Sequence, residues 1–441
     1  MKRILALALL FCLLAGCGGA TSSEPEGPTD KTGETLTMLS FPDQPKKYFE
    51  EALKAANLDF EVKIIEVPQN QYENKVRMML SANEAPDLIL IDAPNIANYA
   101  ITGRLVPLDD YWGDESFDDL VDSAKKAVTW NGHRWASPLN EASCLLFYNR
   151  RLLRDAGISP ADTAKDAWTM EELLEAAIAL TRRDESGEII QYGLQPTMFS
   201  PNNKVEGMAY TQMLYTWWFG AEILSPDGST ATGYFDSEKN LEALQFFSDL
   251  YQKYSVSPVQ EIPNGFENGK IAMLISGPWL IGTWRDNFPD FYGGEWGAMP
   301  LPRGLSAACP TGSWNIAMTA QCKNRENGWR AIDALTGSQG MRIWCNGTGN
   351  IAARQSVIDA EYEQNQKVPY NIIYDQLSGS ARVRPVTPAY PYISEAIVDC
   401  YNSVAFGADP KTAVADATEK INQALSDYQT LHTRQAGDGL A

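Results

Sequence analysis

Three observations predict an α/β protein built as two domains. A continuous apolar strand at 88–91 ends in Asp92 and is flanked by amphipathic helical segments. Continuous apolar strands alternating with helices indicate a largely parallel sheet covered on both faces. The body of the chain, about 425 residues once a leader is set aside, is too long for one core. With 44% hydrophobic residues, including 12 Trp, 19 Tyr and 15 Phe, it has apolar surface enough for two.

The elements follow in order. Residues 35–39 read as a strand that breaks at Pro42. Residues 46–57 place Tyr48, Phe49, Leu53 and Ala56 at helical spacing. Residues 60–67 alternate as a strand, and 71–82 form a helix with Val76, Met79 and Leu80 inward. The strand 86–92 comes next, and in such sheets ligands bind beyond the carboxyl ends of strands. An Asn-Gly turn at 131–132 between aromatic runs signals a hairpin over 130–138, and 143–149 is a strand. Thr169 and Glu172 match a capping box opening a helix through Thr181. Residues 236–254 form a helix with Leu241, Leu244, Phe247 and Leu250 inward; 271–276 and 316–319 are strands, and 326–335 is a helix. Asp409-Pro410 is an N-cap followed by proline at the first helical position, opening a final helix towards Leu431.

The first residues carry an address. Lys2 and Arg3 precede an apolar run over 4–14, which ends in Leu-Ala-Gly-Cys at 14–17. A basic start, a short apolar run and small residues at a cleavage point describe a secretory signal over 1–16. The run is too short to span a bilayer, which takes roughly 20 residues. Cys17 at the cleavage position resembles a bacterial lipobox, so lipidation of its thiol is expected. Residues 17–34, with almost no apolar side chains, are expected to be a flexible tether. The expected location is extracytoplasmic, with a lipid anchor on the cell membrane.

Acidic residues outnumber basic ones, 56 to 36, and a net charge of −20 argues against nucleic-acid binding. Of seven cysteines, Cys144, Cys309, Cys322, Cys345 and Cys400 remain in the body without a CxxC pair. Dispersed buried thiols are expected, and no metal site. Only His133 and His432 supply imidazole, and no GxSxG is present. The Gly265–Ile271 stretch is faintly like a phosphate loop, but its spacing is short, Ile replaces Ser/Thr, and it precedes a strand instead of following one. No cofactor is expected.

Four stretches together resemble the extracellular solute-binding proteins of ABC importers, the maltose-binding-protein-like group. They are APDLILID at 85–92 with NYAITGRLVPLD at 98–109; WASPLNE at 135–141 through LFYNR at 146–150, with AGI at 156–158 and WTMEEL at 168–173; FENGK at 266–270 with GPW at 277–279; and MPLP at 299–302 with GSWNIA at 312–317 and NGWRAI at 327–332. Their order and spacing carry the resemblance over nearly the whole body. It implies a type II periplasmic-binding-protein fold with two α/β lobes, hinge segments and a ligand cleft between them. Lobe 1 is then 35–139 with 302–337, and lobe 2 is 144–298 with 340–441. The hinges fall near 139–143, 299–303 and 336–340. The implied function is binding a sugar or oligosaccharide for import by an ABC permease, by a monomer without catalysis. Two alternatives stay open: the same fold binding a glycerol phosphate or polyol through Arg384 or Arg150, and an exported carbohydrate-active enzyme using two carboxylates. A sensory role is also compatible.

Sugar recognition needs aromatic faces for the ring and carboxylates or amides for the hydroxyls. By resemblance, Trp279 in Gly-Pro-Trp is the ring-stacking residue and Glu141 a sugar-contacting acid at the first hinge. Asp92 and Asn95, with Ser40, Phe41 and Asp43, follow strands whose carboxyl ends face the cleft. The maltose-binding branch has an aromatic and charged run where this chain has Asp92-Ala-Pro-Asn95, so the ligand is not expected to be simply maltose. Trp217 and Trp218 diverge by about 100° on a helix, so at least one is expected in the cleft. Trp314, Asn315, Arg384 and Tyr390 complete the candidates, while Trp112, Trp130 and Trp329 read as core.

Overall fold

The computed structural model describes residues 35–198, 206–312 and 314–437, apart from the side chains of Tyr362 and 430–437. The leader, Cys17 and the tether lie outside the described residues. The strands are β1 (Thr35–Ser40), β2 (Glu61–Glu66), β3 (Leu88–Asp92), β4 (Thr129–Trp130), β5 (His133–Arg134), β6 (Ser137–Pro138), β7 (Leu145–Asn149), β8 (Arg182–Arg183), β9 (Ile189–Gln195), β10 (Ile271–Ser276), β11 (Trp296–Met299), β12 (Cys309–Thr311), β13 (Trp314–Met318) and β14 (Ala381–Val383). Two five-stranded sheets define two lobes, ordered β2-β1-β3-β13-β6 and β11-β7-β10-β9-β8.

In the first sheet β2, β1 and β3 are parallel, while β13 runs antiparallel to β3 and to β6. In the second, only β9 and β10 are parallel; β7, β8 and β11 join antiparallel. The expectation of a largely parallel sheet therefore holds for three strands of one lobe. Continuous apolar strands report burial on both faces and say nothing of direction. The second lobe shows this directly. Leu145 and Phe147 of β7 feed one core, while Cys144 and Leu146 feed the other.

Local signals translate into structure where the chemistry is self-contained. Asn131 and Gly132 both take positive φ, +50° and +80°, between β4 and β5. Thr169 and Glu172 form the reciprocal capping box of the helix Met170–Leu180. The carboxylate of Asp409 accepts the Thr412 N–H at 3.0 Å, capping the helix Pro410–Gly437.

The chain passes between lobes three times. The first passage lies between β6 and β7. The other two differ from expectation. Leu301, Ala308 and Cys309 sit in the second lobe's core, so residues 302–311 stay with that lobe. The passage falls at Gly312, between β12 and β13, where φ is +90° and a side chain is disfavoured. Just beyond Thr336 the chain stays with the first lobe, although Ile351 reaches across to a core of the second. Helix Ser338–Thr348 returns Met341, Trp344 and Cys345 to its core, and Ala352, Ala353 and Val357 follow. The third passage lies between Ile358 and Tyr370, which pack on opposite lobes. The Thr336-Gly337 break is a helix corner, and the apolar stripe after it decides the lobe.

All five body cysteines are buried thiols. Burial pushes the Cys309 thiol up to about 11 and that of Cys400 to about 12. Among the described residues no group of His, Cys, Asp and Glu is arranged to hold a metal ion, and no helix is long and apolar enough to cross a membrane.

Candidate functional site: the junction between the lobes

The carboxyl end of β3 meets the start of β13, with Asp92 opposite Trp314. Trp314 is half-buried and meets Phe41 edge-on at 4.7 Å, and Phe41 meets Tyr72 at 5.0 Å. Phe41 immediately follows β1 and Tyr72 lies on the helix Gln69–Ala82, so two strands and a helix bring this aromatic patch together. From the other lobe, β12 and β14 run parallel, pairing Thr311 with Val383. Their next residues, Gly312 and Arg384, therefore emerge side by side, and the Arg384 guanidinium donates to the Gly312 carbonyl at 3.2 Å.

Arg384 is the centre of the junction. Its two terminal nitrogens donate to both oxygens of Asp92 at 2.8 and 2.6 Å, and one also donates to Glu206 at 2.9 Å. Glu206 opens the helix Glu206–Trp218, and Tyr210 lies four residues on, on the same face. The Tyr210 ring lies 4.9 Å from the guanidinium, a cation–π contact, and its hydroxyl donates to the Pro310 carbonyl. The Tyr390 hydroxyl donates to Glu206. Burial opposes charge on Arg384, but Asp92, Tyr390 and Glu206 outweigh it and hold its pKa above the usual arginine value. Burial raises the Glu206 carboxyl despite Arg384.

Trp279 begins the helix Trp279–Asn287, half-buried, its ring 6.4 Å from that of Tyr210. The ring folds back over Gly277, where an added Cβ would lie 2.0–2.4 Å from three ring atoms. Glycine at 277 is what lets the indole lie there.

Several sequence candidates do other work. Glu141, 1% exposed, spends its carboxylate on protein groups: the Ala142 and Gly312 N–H each at 2.8 Å and the Ser123 hydroxyl at 2.5 Å. It ties the first interlobe passage to the second. Trp217 and Trp218 are both core, at 3% and 0% exposure; Trp218 packs edge-on to Tyr215 and donates to the Ala308 carbonyl. Adjacent helical residues do diverge, but this helix is buried from Met208 to Trp218, so neither direction leads to solvent. Asn315 is buried within the sheet and donates to the Ile91 carbonyl. Asn95 is half-buried in a short 3-10 turn, Ser40 is buried at the end of β1, and Asp43 is exposed in the following turn. Asp92, Arg384, Tyr390, Trp314 and Trp279 are thus the candidates that line the junction.

Sequence reasoning missed Glu206, Tyr210 and Glu73. Glu73, on the helix Gln69–Ala82, accepts from the Tyr99 hydroxyl at 3.2 Å, and burial followed by the Asp92 charge pushes its carboxyl up to about 7. The Glu206/Tyr210 spacing was available as a signal, but only the position of Arg384 gives it meaning. Two surface grooves of about 460 Å³, one beside Thr418 and Asn422 and one beside Arg151 and Glu267, share no residue with the junction.

The model of a bacterial extracellular solute-binding protein matches residues 48–370. The chain belongs to that family. Its place is therefore outside the cytoplasm, in the service of ABC importers. A binding protein of Brucella abortus (strain 2308) is 24% identical over 409 residues, covering 88% of this chain and 92% of that one. The maltooligosaccharide ABC transporter solute-binding lipoprotein of Streptococcus pneumoniae is 22% identical, covering 95% of each. Among solved structures, an ABC transporter solute-binding protein of Thermotoga lettingae bound with α-D-tagatose superposes with a TM-score of 0.77 at 26% identity, covering 89% of this chain and all of that one. These likenesses establish the type II periplasmic-binding fold in two lobes.

Proposed function

We propose that this family member binds a neutral sugar or oligosaccharide between its lobes and hands it unchanged to an ABC permease. One observation carries the reading. A half-buried indole, Trp279, stands beside Tyr210 and a polar cluster whose single arginine is already neutralised. An aromatic face suits the CH face of a pyranose, and fixed carboxylates suit its hydroxyls. The same observation weighs against the glycerol-phosphate reading. Arg384 faces Asp92 at 2.6 Å and Glu206 at 2.9 Å, so an incoming anion meets a net negative site. Arg150 is exposed beside the second sheet and away from the junction. The sugar ligands of the pneumococcal and Thermotoga relatives point the same way.

The contacts proposed for the sugar are Trp279, Tyr210, Asp92 and Trp314, with Arg384 and Tyr390 shaping the polar end. Absence of catalysis is part of the proposal, as is a monomer anchored through lipid on Cys17. Equilibrium dialysis against labelled mono-, di- and oligosaccharides, followed by chromatography of the recovered ligand, tests it. Retention of an intact sugar supports a binding protein; a cleaved product overturns that reading in favour of an enzyme.

A further inference from the structure

Gly282 stands in the middle of the nine-residue helix Trp279–Asn287, where glycine weakens a helix relative to alanine. What it faces accounts for it. Ile281 and Trp284 hold this helix in a core of the second lobe. The helix also meets the end of Ser338–Thr348, which the first lobe's core holds through Met341, Trp344 and Cys345. A Cβ at Gly282 would lie 2.5 Å from the Thr348 carbonyl oxygen and 3.1 Å from the carbonyl carbon. Backbone cannot swing aside as the tip of a long side chain can, so only glycine permits this approach. Gly349, at φ +80°, closes the facing helix, and a Cβ there would lie 3.3 Å from the Gly282 nitrogen. One turn further on, the Arg285 guanidinium donates to the Gly347 carbonyl at 2.7 Å, a cation at a helix C-terminus. The lobes therefore touch backbone to backbone at this point, fastened by one charged hydrogen bond.

The contact bears on the site through spacing. Trp279, Gly282 and Arg285 fall three residues apart, so each neighbours the next along the helix. Trp279 is the first residue of that helix, one turn before the contact. Two glycines thus bound the indole: Gly277 leaves room for the ring, and Gly282 fixes how near its helix comes to the other lobe. We propose that Gly282 is a positioning residue: by seating its helix on Thr348, it lets the first lobe set where the sugar-stacking ring of the second lobe stands. The inference rests on the reading of Trp279 as the sugar's aromatic face. It adds a residue that shapes that face without touching the sugar, and it gives the end of the helix Ser338–Thr348 a part in the fit. A larger residue at 282 displaces the helix start, and the ring with it.

Fluorine NMR of protein carrying fluorotryptophan tests this. The Trp279 and Trp218 signals are identified by their loss in Trp279→Phe and Trp218→Phe. In Gly282→Ala the Trp279 signal is expected to move by more than its linewidth, while that of Trp218, in the core of the same lobe, stays in place. The melting temperature is expected to fall. Arg285→Gln removes only the hydrogen bond to Gly347 and is expected to move the Trp279 signal by less; it decides the matter if Gly282→Ala does not fold. A folded Gly282→Ala that melts above wild type overturns the proposal, because alanine would then gain helix propensity with no backbone in its way. An unmoved Trp279 signal in either folded variant overturns it equally, as does a shift of both signals together, the mark of general loosening. No sugar enters the measurement, so its failure is distinct from failure of the sugar reading.

Discussion

Glu73 and Trp279 show what single residues contribute. The Glu73 carboxyl stands at about 7 because burial and the neighbouring Asp92 charge disfavour ionisation. An unfolded glutamate titrates near 4.5, so between those values the folded state binds more protons, and stability falls as pH rises through that window. Glu73→Gln is therefore expected to be more stable than wild type at pH 7.5 and indistinguishable from it at pH 4, by urea unfolding at both. An unchanged difference across that range contradicts the assignment. For Trp279, a half-buried ring packed against the second lobe's core, Trp279→Ala is expected to weaken sugar binding about tenfold or more, some 1.4 kcal/mol, with a modest fall in melting temperature. Gly277→Ala pushes a Cβ into that indole and is expected to weaken binding in the same direction, read by calorimetric titration. Trp279 and Asp92 were legible in the sequence because each follows an apolar strand, and Arg384 because it opens a rigid proline-bearing loop. Glu206 and Tyr210 were not, because an ordinary helical i, i+4 pair acquires a role only from what faces it.

At the scale of elements, burial decides which aromatic and acidic residues remain free to act. The helix Glu206–Trp218 is covered through its last three turns, so its tryptophans serve the core and only its first turn reaches the cleft. Trp218→Ala is expected to cost about 3–5 kcal/mol in chemical denaturation while leaving the sugar affinity of the folded fraction intact. Glu141 anchors the passages between lobes through two backbone N–H groups. Its replacement by alanine strands buried donors and is expected to cost about 2–4 kcal/mol, with Glu141→Gln costing less because an amide oxygen still accepts. The strands and helices read from periodicity came through, since each is a local pattern, but β9, β11, β12, β14 and the helices Ser338–Thr348, Tyr370–Ser380 and Tyr390–Ala405 were not read from it. Strand direction and the second and third passages did not. A continuous apolar run such as Leu145–Asn149 is the same read in either direction, and a Thr-Gly break such as 336–337 turns a corner as readily as it leaves a lobe.

For the molecule as a whole, two sheets joined by three passages meet over one charge cluster, and the family places the protein among solute-binding proteins outside the cell. The two lobes were legible from chain length and from the continuous apolar strands; their closeness was not, because it rests on Asp92 meeting Arg384 across 292 positions of sequence. The central claim is that the junction takes a neutral sugar. A thermal-shift panel on residues 35–441, with mono-, di- and oligosaccharides beside glycerol phosphates, tests it most directly. A ligand present at 100 times its dissociation constant adds about 2.7 kcal/mol of stability. The account predicts a saturable rise with one neutral sugar, unaltered by salt and abolished in Trp279→Ala. A rise confined to the glycerol phosphates and weakened by salt would contradict it.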